Sequence, residues 1–244
     1  MQEIRVETVA DGVHVVRTPM VNWVLLTDGD AVVLVDAGYP RDTDAVVASL
    51  AALGRRPEDL AAVLVTHGHV DHIGGLDGLQ ALPADAPVLT GHDEVAHLRG
   101  DVVEQVTPTQ VAVRLWRPRT AGWALRAAAL GATAHVTVPR ARGVDDGVAL
   151  DLPGRPVPVA VPGHTSGHTA WHLPDRGVVL SGDALVTGHP LTAREGPQLL
   201  DPMFHHDAAL ARAAWTRLAG LAADAVVPGH GPVHHGPVPR TLDP

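Results

Sequence analysis

The chain of 244 residues contains no cysteine. Disulfides and thiolate metal ligands are therefore both excluded, and any transition metal must be held by nitrogen and oxygen. Aromatic residues are few, at 3%, with a single tyrosine, Tyr39, and a single phenylalanine. No uninterrupted apolar run reaches the roughly 18 residues of a membrane span. The N-terminus shows no basic region followed by an apolar block, so no signal peptide is expected and the cytoplasm is the expected location. No basic block stands out, and the formal net charge is −9. That balance argues against a nucleic-acid backbone as partner. A small molecule is the expected partner, without nucleic acid or membrane, and the sequence leaves a homodimer open.

What the chain does have is an ordinary core composition, 45% hydrophobic and 18% charged, and sixteen histidines. Scattered ones such as His14 and His135 read as ordinary surface or satisfied polar residues. The run His67-Gly68-His69-Val70-Asp71-His72 does not. Three imidazoles and a carboxylate this close have little use in an apolar core.

Alternating apolar residues predict strands over 4–8, 12–17, 21–27 and 31–35, the last pair joined by a turn at Asp28-Gly29-Asp30. A helix follows over 42–53, stopping at Gly54. A buried strand over 61–65 leads into the histidine run. Gly74-Gly75 then gives a turn before a short helix near 76–81, and Pro83 and Pro87 frame a loop into a strand at 88–90. The middle suggests helices over 93–98 and 120–130 and a strand over 134–138. Residues 139–156 read as loop with at most a short strand. Strands over 157–161, 169–173 and 177–181 follow, the last two a hairpin across Pro174-Asp175. A helix over 207–219 and a strand over 225–227 close the pattern. Strands, helices, strands, helix and strand in this order suggest an α+β fold of two packed sheets with helices outside, a four-layer αββα sandwich. One domain over 1–244 is expected, with 92–156 as a candidate lid or insertion.

Four segments end strand-like runs with candidate ligands: the run 67–72, His164, Asp183 and His230. Glycine or proline beside them permits tight loops. Imidazole nitrogen and carboxylate oxygen suit zinc, manganese or ferrous iron. Two histidines one residue apart in extended chain can face one ion, Asp71 and His72 a neighbouring one, and Asp183 both. Water held between two such ions loses a proton near neutral pH and becomes a nucleophile.

This constellation resembles the metallo-β-lactamase superfamily. The run 67–72 fits its histidine-rich motif. Pro-Gly-His at 162–164, Ser-Gly-Asp at 181–183 and Pro-Gly-His at 228–230 fit the later motifs in order. The resemblance implies the αββα fold and two divalent ions, zinc first, with manganese or iron as alternatives. It implies His67, His69 and His164 on one ion, Asp71, His72 and His230 on the other, and Asp183 bridging. Asp71 and Asp183 are then the catalytic carboxylates, Asp71 also orienting the nucleophile or passing a proton. Asp36 resembles the aspartate that supports the metal loop, and His168 reads as a supporting residue in a segment similar to glyoxalase II-like proteins.

Within the superfamily, the B1 and B2 β-lactamases use a cysteine where Asp183 stands, and the B3 enzymes lack the bridging aspartate. Acyl-homoserine lactonases resemble the full ligand set but carry a tyrosine where Val186 stands. Glyoxalase II has a C-terminal helical domain, whereas fourteen residues follow His230 here. The expected activity is hydrolysis of a small ester, lactone, thioester or amide. The alternatives are a one-iron persulfide dioxygenase, a biosynthetic thioesterase or cyclase with a long apolar groove, and a non-catalytic metal-dependent binding protein. Pocket walls are expected from 20–23, 116–131 and 185–206. Trp23, Trp116, Trp123, His189, Arg194, His205 and His206 are the candidate substrate contacts.

Overall fold

Side-chain alternation in the first four strands assigns residues to two faces. β1 (Arg5–Ala10), β2 (Val13–Arg17), β3 (Asn22–Asp28) and β4 (Ala31–Val35) form an antiparallel meander. Val13, Val15, Val24, Leu26, Val33 and Val35 join one core cluster, while Val16, Trp23, Leu25, Val32 and Leu34 join another. Strands apolar on both faces must be covered on both. The computed structural model describes residues 4–79, 83 and 86–241 and shows what covers them.

On one side lies α1 (Thr43–Ala52), which packs Val46 and Leu50 against the Trp23 and Leu25 face. β5 (Leu60–Leu64), β6 (Val88–Gly91) and β7 (Ala141–Val144) extend the meander in parallel, giving a seven-stranded sheet in sequential order. The connections contain α2 (Val70–Ile73), α3 (Val95–Arg99), α4 (Pro108–Ala112) and α5 (Pro118–Ala129).

On the other side lies a second sheet. It contains β8 (Val157–Ala160), β9 (Thr169–Leu173), β10 (Val178–Gly182), β11 (Ala225–Pro228) and β12 (His234–His235), ordered β12-β11-β10-β9-β8. Its inner face sets Trp171, Leu173, Val178, Leu180 and Val227 against the first sheet. Its outer face is covered by α6 (Ala208–Ala219) through Ala214, Trp215 and Leu218. The result is the expected αββα sandwich. α6 starts where Asp207 accepts the Ala209 and Leu210 N–H groups, both at 2.9 Å, capping donors the helix itself leaves unpaired.

Several elements differ from expectation. No strand forms over 134–138. Gly131, at φ 93°, turns the chain out of α5, and Val136 and Val138 serve as apolar anchors under the first sheet. The short strand allowed for within 139–156 forms as β7. α4 was not expected, yet Thr107 and Gln110 make a reciprocal capping box with Pro108 at its first position. α5 begins two residues before the expected 120, at Pro118. After the run 67–72 the chain makes a 3₁₀ turn at Gly74–Leu76. The helix expected near 76–81 does not form over its described part, where residues 77 and 78 continue as turn; residues 80 and 81 lie outside the described residues.

The inter-sheet layer makes the largest demand on packing. Replacing Leu180 with Ala leaves a cavity between the sheets and should cost about 3 kcal/mol. Urea unfolding followed by far-UV circular dichroism measures it.

Candidate metal centre

The candidate ligands follow the ends of strands. The loop after β5 delivers His67 and His69 and leads into α2, which carries Asp71 and His72; the turn after β8 brings His164, Asp183 follows directly on β10, and β11 ends just before His230. The ends of both sheets therefore meet at one edge. There His67, His69 and His164 place one donor atom each within 4.8 Å of one another, as do His67, His72 and Asp183, and Asp71, His72 and His230.

The outer hydrogen bonds decide which ring nitrogens face inward. His69 Nε2 donates to the Glu104 carbonyl at 2.6 Å, and His230 Nδ1 donates to the Met20 carbonyl at 2.6 Å. His72 Nδ1 donates to Asp36 Oδ2 at 2.8 Å. Thr66 Oγ1 spends its proton on Asp36 Oδ2 at 2.7 Å, so it accepts from His67 Nδ1 at 3.0 Å. The four opposite nitrogens therefore face inward; those of His67 and His69 carry lone pairs, and those of His72 and His230 offer a lone pair to a cation or a proton to a carboxylate. His67 Nε2 and His69 Nδ1 then face His164 Nε2 at 3.2 and 3.0 Å. His72 Nε2 faces Asp183 Oδ1 at 3.4 Å, and neither atom has a hydrogen-bond partner. His230 Nε2 faces Asp183 Oδ2 at 3.2 Å and Asp71 Oδ2 at 3.5 Å. Unprotonated nitrogens and carboxylate oxygens this close repel unless a cation or a proton lies between them. The donor set, all nitrogen and oxygen, fits divalent metal.

The electrostatics divide the histidines into two groups. Burial pushes His67 and His164 well below the ordinary histidine range, and the neighbouring imidazoles push them further. Burial likewise lowers His69. These three stand neutral, the form that ligates. Burial also disfavours charge on His72 and His230, but Asp183 outweighs it and raises both. Burial alone would raise the Asp183 carboxyl; His230 and His72 hold it well below the usual range.

Two positions show how tightly the backbone is drawn. Asp36 has φ 59°, which costs a non-glycine residue about 1–2 kcal/mol. The turn lets its carboxylate take the Thr66 N–H at 2.8 Å as well as Thr66 Oγ1 and His72. At Gly229 a β-carbon would overlap Asp183 Oδ1 and stand 2.8 Å from His72 Cε1, so only glycine passes there.

A family model described as the metallo-beta-lactamase superfamily matches residues 16–230. The chain belongs to that superfamily. Relatives include the probable metallo-hydrolase YflN of Bacillus subtilis, 24% identical over 91% of this chain and 84% of that protein. Metallo-beta-lactamase domain-containing protein 1 of Xenopus laevis is 30% identical over 87% of this chain and 73% of its own length. Other relatives are longer than the stretch they share: the match spans 56% of the Caenorhabditis elegans beta-lactamase-like protein 2 homolog. A hydroxyacylglutathione hydrolase of Stenotrophomonas maltophilia is 31% identical over 67% of this chain but 45% of that protein. Among solved structures, a metallo-beta-lactamase family protein from Thermus thermophilus aligns with TM-score 0.65 and 26% identity, covering 96% of this chain and 77% of that one. The metallo-beta-lactamase SMB-1 aligns with TM-score 0.65 at 24% identity over 93% of this chain and 79% of its own, a likeness of fold alone.

Two supports of this superfamily site were not anticipated. Glu94, fully buried, accepts Gly68 N–H at 2.7 Å and His97 Nδ1 at 2.8 Å with one oxygen. Its other oxygen accepts Thr165 Oγ1 at 2.7 Å and Gly167 N–H at 3.1 Å. One carboxylate thereby ties the His67/His69 loop to the His164 loop. Glu104 adds a second tie, accepting Ser166 N–H at 2.6 Å. Neither lies in a motif. The only local sign is that Glu94 follows closely on the end of β6. His168 Nε2 accepts the Asp183 N–H at 3.0 Å, and burial pushes its pKa down to about 3.

The candidate substrate contacts divide. A cavity of about 570 Å³ opens beside the ligands, and Trp123 and His189 line it with Tyr39 and Phe204. Trp23 does not line it. It is buried in the helix-side core, where its indole N–H donates to Ser49 Oγ at 3.1 Å, because the β3 alternation turns it away from the edge. Trp116 is 76% exposed and Arg194 also lies outside the lining; both are corrected as pocket residues. His205 stacks edge-on with His164 at 5.3 Å without lining the cavity. His206 pairs with Glu104 at 3.6 Å. Tyr39 was not anticipated as a site residue. It is buried, and its hydroxyl approaches Asp71.

Glu94→Ala strands four donors and should lower stability by about 3–5 kcal/mol and weaken metal retention. Glu94→Gln, which keeps part of the bonding, should cost less; denaturant melts and metal analysis after dialysis compare them. For His168, the folded pKa of about 3 lies below the ordinary value of 6.5. The unfolded chain takes up the proton first, so the contribution is present above pH 6.5 and is lost as pH falls towards 3. Its full size is about 5 kcal/mol. The acid-side fall in melting temperature should be shallower in His168→Gln.

Proposed function

We propose that the protein is a two-metal hydrolase of neutral acyl substrates: small esters, lactones, thioesters or amides. The observation that carries this is Asp183. Its two oxygens face His72 at 3.4 Å and His230 at 3.2 Å, while Oδ2 also lies 3.5 Å from His164. One carboxylate therefore reaches both groups of histidines. His67, His69 and His164 would hold one ion and Asp71, His72 and His230 the other, zinc being the first candidate. Divalent ions at such a site supply Lewis acidity and a water of lowered pKa.

The chain's own residues supply the rest. Asp71 is the ligand candidate that remains partly open to the cavity. One of its oxygens faces His230, leaving the other to orient an attacking water or hand a proton to a leaving group. The cavity continues away from the ligands between Val106, Val111, Ala112, Ala124 and Ala128, all small or apolar. Such walls suit an apolar acyl arm and exclude water from it. No arginine lines that cavity among the described residues, which favours an uncharged acyl substrate over a polyanion. α4 and α5 then act as a lid over the acyl arm. The hydroxyacylglutathione hydrolase relative supports including thioesters in the class.

The test is a hydrolysis screen on metal-reconstituted protein over lactones, thioesters, carboxylic esters and phosphodiesters, with metal content measured in parallel. About two equivalents of metal and turnover of an acyl substrate are expected. Asp71→Asn should keep the metal and lose turnover about 100-fold or more; full turnover there would remove its proposed role. Failure to bind zinc, manganese or iron at all would overturn the reading. One tightly held iron with oxygen consumption on a persulfide would favour a dioxygenase instead.

A further inference from the structure

The segment that walls the cavity differs in charge from the rest of the chain. Between Glu104 and Asp145 there is no acidic residue, yet six arginines stand there, in a chain of net charge −9 that contains no lysine. Three of them, Arg114, Arg117 and Arg119, line a surface hollow of about 330 Å³ beside Thr120, with Asp201 the one acid at its edge. The same segment carries exposed apolar residues: Val103 is 66% exposed, Val113 62%, Trp116 76% and Leu125 73%. Leu115, 46% exposed, both precedes Trp116 and lines the mouth of the cavity with Val103. The two hollows flank the same strips of chain, with Leu115, Leu200 and Phe204 on the cavity side and Arg114, Asp201 and Met203 on the other.

Exposed tryptophan, leucine and valine fringed by arginine is the composition of a surface that lies in a bilayer interface. We propose that this face, built from Val103 and residues 113–126, docks on an anionic lipid surface, with the arginine hollow taking headgroup phosphates. A second copy of the chain fits less well, because two such faces meeting across a two-fold axis would oppose arginine to arginine. The expectation of no membrane rested on the lack of a spanning run, and no described helix is long and apolar enough to cross a bilayer. Lying on one requires neither. Docked this way, the cavity mouth would face the acyl region, giving the hydrolase reading a route for apolar substrates out of the bilayer.

Sedimentation of the full chain with phosphatidylcholine vesicles, with and without phosphatidylglycerol, tests this. Binding only to the anionic vesicles, weakened by salt, is expected. Trp23, Trp171 and Trp215 are buried and Trp123 lines the cavity, leaving Trp116 as the outward-facing tryptophan, so an emission blue shift on binding that disappears in Trp116→Phe would report this face. The double variant Trp116→Ser with Arg117→Glu should bind about tenfold less while keeping its melting temperature. No sedimentation, or equal sedimentation with pure phosphatidylcholine, would overturn the proposal. So would a dimer, found without vesicles, that the double variant dissociates, or an anionic requirement met by inorganic phosphate in solution. None of these readouts uses turnover, so failure of the hydrolase reading leaves the result interpretable.

Discussion

Crowded lone pairs at one edge of the sandwich are the constraint on which the rest of the structure depends. His67, His69 and His164 bring inward-facing nitrogens within about hydrogen-bond distance of one another, and His72 and His230 aim theirs at a buried carboxylate. Left to itself such a cluster would spread apart. Four of the five rings are held by bonds on their far side: His69 and His230 by the Glu104 and Met20 carbonyls, His67 by Thr66 and His72 by Asp36. These fix the tautomers, and the tautomers fix where the free electron pairs point. Ligand geometry is thus decided by residues that would not touch a metal.

The anchors in turn require the sandwich. Asn22 at the start of β3 donates to the Pro228 and Gly231 carbonyls at 2.9 and 2.8 Å, sewing the His230 loop of the second sheet to the first. Glu94 joins the loop after β5 to the loop after β8 in the same way. These cross-sheet bonds can form because the two valine-rich inner faces press together over Trp171, Leu173 and Leu180. Packing energy from the core is what keeps a repulsive donor cluster assembled.

Much of this was legible. The meander, α1, β5, the β9–β10 hairpin and α6 all announce themselves by period and by turn residues, since local pattern alone decides them. The region 92–156 was harder because its residues are chosen for a cavity wall and an outer surface as much as for the core. There a strand expected over 134–138 is apolar anchoring without pairing, and α4 is too short for a periodic signal. Candidate contacts divide there too. Trp116 and Trp123 read alike in sequence, yet one is turned to solvent and the other towards His189 and Phe204.

The sequence by itself determined the ligand types, their order and the strand ends that carry them, because metal chemistry demands particular side chains and strand-end loops leave short, recognisable motifs. Only the tertiary structure decided which nitrogen of each histidine faces inward, that Glu94 and Glu104 brace the loops, that Tyr39 reaches the site, and that an arginine-lined hollow lies beside the cavity. Each of those depends on partners far apart along the chain, and no local pattern records a contact between residues that meet only after folding.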